Sequence, residues 1–324
     1  MRKAIGIVVL TAAAASCLAA PVSAAPTPGH GASLTRAVCD GGNQPTNGFE
    51  CGSDLAVARH EGDGPTGVRH VDDAYIWLGE LAGFYAKVGG DLQTMLAAPV
   101  EGVQAVNVSV RACADGRDCV NGAWPTYYSD RRVVFSHGLF SDDTFGHEFA
   151  HGVQDYYGVV ESGKQGEVGA VREGVADVLG ELFDLTNGTP DTTDRWKMGD
   201  GSVFGVYRDM DDPTLRRMPD RKGGQYWSTR GSPVINAAVI DKLGFLISEG
   251  QTFNGQTITG IGTARSAALW FAVVRNQPKG ADFRAIAATL REVCASNARD
   301  GVAGTSNADC AQVEKAITAT QLER

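Results

Sequence analysis

The sequence predicts an α+β chain of two lobes, a mixed α/β N-terminal lobe and an all-α C-terminal lobe. Three observations predict it. The chain has 324 residues, enough for two lobes of ordinary size. Short apolar runs of strand length cluster between about 104 and 138. Beyond residue 232 the periodicity is mostly helical, and the pattern divides near a second helical stretch at 168–185.

Residues 1–24 read as a cleavable signal peptide. Arg2 and Lys3 precede an apolar run from Ala4, and Val22-Ser23-Ala24 stands before the expected cut at Ala25. Ser, Thr and Pro break that run, and no later segment reaches about 18 continuous apolar residues, so no membrane span is expected. Cys17 lies inside the leader in A-A-S-C, a poor lipidation site. The leader predicts a secreted, extracellular protein. Losing Arg2 and Lys3 with it takes the formal charge from −9 to −11. That balance leaves no electrostatic footprint for nucleic acid or an anionic membrane.

Residues 25–66 are rich in Gly, Pro, Asn and Asp and read as loops held by one disulfide. Residues 67–185 form the N-terminal lobe. Within it, 71–88 has helical spacing through Trp77, Leu78, Leu81 and Tyr85, while V-N-V-S-V at 106–110 and V-V-F at 133–135 read as strands. Ser141-Asp142-Asp143 is a plausible capped helix start. The helix at 168–185 carries Val171, Val175, Val178 and Leu182 at steps of four, three and four. Residues 186–324 form a loop region and the helical lobe, with helices that include 267–275 and 283–294.

Six cysteines follow the leader, an even number suited to an oxidising compartment. Six allow fifteen pairings; proximity favours Cys39 with Cys51, Cys113 with Cys119, and Cys294 with Cys310. No C-x-x-C or Cys/His cluster supports a metal reading of them.

The chemistry concentrates at H-E-F-A-H, residues 147–151. On a helix His147 and His151 are one turn apart and project from one face, the spacing of a zinc pair. Glu148 is placed to take a proton from a water on that zinc. A site that keeps one position open needs a third protein ligand. The helix at 168–185 supplies Glu173, whose acid would otherwise be buried among Ala, Val, Leu and Gly. Asp177, one turn further, is placed to accept the outer N–H of a ligating imidazole.

H-E-F-A-H-G-V-Q-D-Y followed by G-A-V-R-E-G-V-A-D resembles the thermolysin family of zinc endopeptidases, gluzincins whose third ligand is a Glu. The likeness covers roughly residues 70–320. V-D-D-A-Y at 71–75 is similar to the family's first long helix, and I-T-G-I-G at 258–262 to its helical lobe. The resemblance implies a two-lobed fold with one catalytic zinc in the cleft. N-G-A-W at 121–124 is similar to the N-A-F-W edge strand, which implies that Asn121 and Trp124 border an extended peptide substrate. Y-R-D-M-D-D-P at 207–213 is similar to L-R-S-M-x-x-P, which implies a bond from Arg208 to a substrate carbonyl. Thr144, Met198 and Tyr207 align with the pocket for the residue after the cut and imply an apolar preference. Asp143, Asp184 and Asp200 match family calcium positions, with Asp191 and Asp194 left open as contributors. Lys197 stands where the family has an acid, so one structural calcium is expected rather than a double site.

Two departures concern the oxyanion. Val234 aligns with the family's stabilising His, and Lys164 with its assisting Tyr; Lys164, Tyr226 and Tyr157 are candidate substitutes. The pattern also begins soon after the leader, so the chain is expected to fold without a long propeptide.

The sequence therefore predicts a secreted, monomeric zinc endopeptidase acting on a peptide or protein, with Glu148 as general base. It predicts no nucleic-acid or membrane partner. One alternative is a catalytically weak or restricted zinc protein of the same fold, which the absent His favours. The other is a non-enzymatic secreted binding protein, against which the retained Glu148 argues.

Overall fold

Between Arg36 and Asp40 only three residues are apolar, yet this stretch is an interior strand. The computed structural model describes residues 33–114, 119, 131–159, 165–189 and 193–324, and the backbone of 127–129. Strand β1 (Arg36–Asp40) is followed by β2 (Pro45–Thr46) and β3 (Val57–His60). This corrects the reading of 25–66 as loops. The charged ends of β1 hide its strand character, because each is paired in the fold: Arg36 Nε lies 2.6 Å from Glu61 Oε2, and Asp40 pairs with Arg111. The expected Cys39–Cys51 disulfide ties β1 to the following loop.

Helix α1 (Arg69–Lys87) buries Val71, Ala74, Leu78, Leu81, Phe84 and Tyr85 on one face. Asp91 caps the short α2 (Leu92–Leu96) by accepting from Thr94 N. Strands β4 (Ala98–Val100) and β5 (Val103–Val110) form a hairpin through Glu101 and Gly102, both at positive φ, as a two-residue primed turn requires. Then come β6 (Cys113–Ala114), β7 (Tyr127–Ser129) and β8 (Arg132–Val134). One sheet runs β3-β1-β5-β8-β7, with β4 also on β5; β1–β5 and β5–β8 are parallel, the other pairs antiparallel. The short β2 and β6 pair separately, and Cys113 is bonded to Cys119 as expected.

Two helices carry the site. Helix α3 (Asp142–Tyr156) starts after Ser141, close to the expected position, and α4 (Gly166–Asp184) is buried over most of its length. They cross at Gly146 and Gly180, where a Cβ on Gly146 would meet Gly180 Cα at 2.9 Å. Two short strands follow, β9 (Lys197–Met198) and β10 (Arg208–Asp209), paired antiparallel.

Beyond Ser232 the chain is mainly helical apart from one small hairpin: α5 (Pro233–Asn236), α6 (Ala238–Ser248), β11 (Thr252–Phe253), β12 (Gln256–Thr257), α7 (Thr263–Asn276), α8 (Phe283–Asp300) and α9 (Asn307–Thr320). Ser306 and Asp309 form a capping box on α9, and Cys294–Cys310 joins α8 to α9. The α4 backbone packs closely on this lobe, with Gly174 against Ile240 of α6. The predicted mixed and all-α lobes are both present, and α4 belongs to the packing of each. Among the described residues no helix is long and apolar enough to cross a membrane.

Candidate active site

His147 and His151 sit one turn apart on α3 with ring centroids 4.5 Å apart. Their Nε2 atoms face Glu173 of α4, whose Oε2 lies 3.7 Å from His147 Nε2 and 3.5 Å from His151 Nε2. Bonds of about 2.0–2.1 Å at a tetrahedral centre set ligand atoms roughly 3.3–3.5 Å apart, so the three atoms fit a zinc-sized ion. Both imidazoles are buried, and among the described residues this is the one His/Cys/Asp/Glu group gathered tightly enough to hold a metal. Glu148, next on α3, is 5% exposed.

Asp177 of α4 approaches the same helix, with Oδ1 2.8 Å from His147 Nδ1. Its other oxygen lies 3.3 Å from Arg208 Nε. Burial favours a neutral Asp177, but the Arg208 and His147 charges outweigh it and hold the carboxyl below its ordinary range. Burial likewise disfavours a charge on His147; Asp177, Glu148 and Glu173 reverse that and lift its pKa to about 9. His151 goes the other way, to about 4, through burial and the neighbouring His147 charge. Burial raises Glu173, yet its contact with His151 and the charges of His151, His147 and Arg172 pull it well below the usual range.

Arg208 is 4% exposed, and its Nη1 donates to Val234 O at 2.7 Å. Its guanidinium thus bridges the helix that carries Glu173 and the residue aligned with the missing His. Val234 itself is 45% exposed. Thr144, Met198 and Tyr207 do come together: Thr144 Oγ1 and Tyr207 Oη are 3.1 Å apart, and Tyr207 N donates to Met198 O at 2.9 Å. Tyr157 packs edge-on against Phe271 of α7, while Tyr226 is exposed at positive φ. Asn121, Trp124, Lys164 and Asp191 lie outside the described residues.

The acidic positions assigned to calcium are arranged less tightly. Asp143 is fully buried, receiving Ser141 Oγ and the Thr144 and Gly199 backbone N–H groups. Burial raises its pKa to about 6. Burial and the charges of Asp142, Glu181 and Asp143 push Asp184 up to about 11. Asp143, Asp184 and Asp200 do not form a three-ligand group among the described residues. Lys197 Nζ donates to Asp194 Oδ1 at 3.1 Å.

Two residues at the site escape sequence reasoning. Asp241 of α6 is 1% exposed; burial, then the charge of Asp177, lifts its carboxyl well above the ordinary range. Arg172 reaches the outer oxygen of Glu173, with Nη1 to Oε1 at 3.4 Å. Arg172 is the one cation of α4, next to Glu173, and that was the available signal.

Residues 164–322 match the family model for the thermolysin metallopeptidase alpha-helical domain. The chain is similar to a zinc metalloproteinase of Renibacterium salmoninarum, 34% identical over 323 residues, covering 90% of this chain and 58% of that protein. It is 28% identical over 265 residues to a thermolysin of Alicyclobacillus acidocaldarius subsp. acidocaldarius, covering 76% of this chain and 44% of the relative. The chain therefore spans only part of the length of these relatives. The precursor of protealysin, a metalloproteinase from Serratia proteamaculans, shares the fold with a TM-score of 0.65 at 19% identity, covering 91% of this chain and 89% of that one.

Proposed function

The chain belongs to the thermolysin family of metallopeptidases, and on that premise we propose that it is a secreted zinc endopeptidase. The observation that carries the proposal is the convergence of His147 Nε2, His151 Nε2 and Glu173 Oε2 beside a buried Glu148. A zinc ion held by these three residues supplies an acidified water and a Lewis acid for the scissile carbonyl.

The protein's residues do the rest. Asp177 holds His147 through Nδ1, which fixes the tautomer that leaves Nε2 for the metal. Glu148 takes the proton from the attacking water and returns it to the leaving amine. Arg208, held by Asp177 and Val234 O, retains N–H groups for a substrate carbonyl. Asn121 and Trp124 border the peptide as an added strand. Thr144, Met198 and Tyr207 shape an apolar pocket for the side chain after the cut.

One calcium is assigned to the region of Asp143, Asp184 and Asp200, where buried carboxyls with raised pKa values favour a cation. The enzyme is proposed to act as a monomer on peptides or proteins, outside the cell.

Val234 favours a second reading of restricted activity, since losing one oxyanion donor costs on the order of 10²–10³ in rate. Metal analysis of the purified protein, followed by cleavage-site mapping on a peptide library, tests both. One zinc per chain and internal cuts in many peptides support the broad endopeptidase. One zinc with cuts in few or none supports the restricted form, and absence of zinc overturns both.

A further inference from the structure

Resting on the zinc-peptidase reading above, we infer that Arg172 is a positioning residue for Glu173, holding one carboxylate oxygen so that the other is left for the metal. The two oxygens of Glu173 face different partners. Oε2 looks toward the histidine Nε2 atoms at 3.5 and 3.7 Å, and Oε1 receives Arg172 Nη1 at 3.4 Å. Adjacent residues on a helix do not face one another, so this contact is not a by-product of α4 geometry. The arginine has to be brought round to its neighbour.

Helix α3 anchors it there. Gln154, fully buried, donates through Nε2 to the Arg172 carbonyl at 3.0 Å, and Arg172 Nη2 lies 3.8 Å from Asp155 Oδ1. Both anchors sit in the turn after His151. The Arg172 side chain is 12% exposed, so its charge is largely withdrawn from water and its carboxylate partners hold it in place.

The consequence is a carboxylate with a fixed orientation. A carboxylate free to turn can offer both oxygens to an ion and fill the position that water needs. With Oε1 held by a guanidinium, one oxygen is committed to Arg172, and part of the ligand's negative charge is spent on it. The histidines are supported unequally as well. Asp177 Oδ1 lies 2.8 Å from His147 Nδ1, whereas the carboxylate beside His151 is Glu173 itself, 3.5 Å from Nε2. Glu173 is therefore the second ligand, after His147, whose orientation a charged neighbour fixes.

The test uses the full chain with Arg172→Met, Arg172→Gln, Arg172→Lys and Asp155→Asn. Three quantities are measured: zinc affinity by chelator competition, the visible spectrum after cobalt substitution, and kcat and KM separately. For Arg172→Met and Arg172→Gln we expect zinc affinity to fall about 10-fold. The cobalt bands should weaken toward a five-coordinate spectrum, and kcat should fall with KM nearly unchanged. Arg172→Lys should restore part of each change, and Asp155→Asn, which loosens one anchor of Arg172, should give a smaller change in the same direction. Folded Arg172→Met or Arg172→Gln protein with wild-type affinity and spectrum overturns the inference, as does an Asp155→Asn loss larger than that of the arginine variants. Wild-type protein that binds neither zinc nor cobalt overturns the zinc reading and this inference together. Wild type that binds, with unchanged arginine variants, overturns the inference alone.

Discussion

Gly146 of α3 and Gly180 of α4 meet backbone to backbone, and that contact sets the spacing of His147 and His151 from Glu173 and Asp177. A Cβ on Gly180 would stand 2.4 Å from the Asp143 carbonyl oxygen and 2.8 Å from His147 N. His147 follows Gly146 directly, and Asp177 lies one turn before Gly180. The two helices therefore approach most closely where histidine and carboxylate have to meet.

Gly180→Ala cannot be relieved by a side-chain rotation, because the obstructing atoms are backbone. Chemical denaturation should show a loss of about 1–3 kcal/mol, with weaker zinc binding. Gly83→Ala, on the exposed face of α1 with nothing within 4 Å of its Cβ, should instead gain about 0.5–1 kcal/mol.

Asp177→Asn removes the anion between His147 and Arg208. Zinc affinity should drop about 10–100-fold, read by competition with a chelator. The buried Arg208 loses its counter-charge in the same variant, so the metal-free protein should also melt earlier.

Zinc uptake should release protons in a pH-dependent way. His147 has a raised pKa of about 9 in the metal-free fold, and a ligand must be neutral. Its proton stabilises that fold below its ordinary value of 6.5 and the contribution is lost as pH rises through about 9. Zinc affinity should therefore climb from pH 7 to about 9 and then level. Titration calorimetry in two buffers should find about one proton released at pH 7.

The calcium assignment predicts a dependence of the same sign at Asp143, set at lower pH. Its folded pKa of about 6 lies above the ordinary 3.8, so without calcium its contribution to stability grows as pH falls through 6. Calcium should raise the melting temperature at pH 7.5 and lose that effect by pH 5. Asp184→Asn should abolish the gain; a gain that persists in this variant contradicts the assignment.

The candidate metal-binding residues can be proposed from the sequence because a helix is a rigid ruler. His147 with His151, and Glu173 with Asp177, are each one turn apart, Glu173 itself stands out as an acid on a largely apolar helix, and the three neighbour disulfides follow from proximity. Strand β1 is not legible, since Arg36 and Asp40 look like a loop until Glu61 and Arg111 neutralise them. Nor are Arg172 and Asp241, whose roles depend on which helix packs opposite. The link from Arg208 to Val234 O is likewise invisible in the chain, because it joins residues 26 positions apart through a backbone oxygen.

The most direct test of the account compares wild type with Glu148→Gln on a quenched fluorescent peptide, with zinc content measured in the same samples. The account predicts equal zinc in both proteins and a loss of about 10²–10⁴ in kcat for the variant. Equal turnover in two fully zinc-loaded proteins would contradict it.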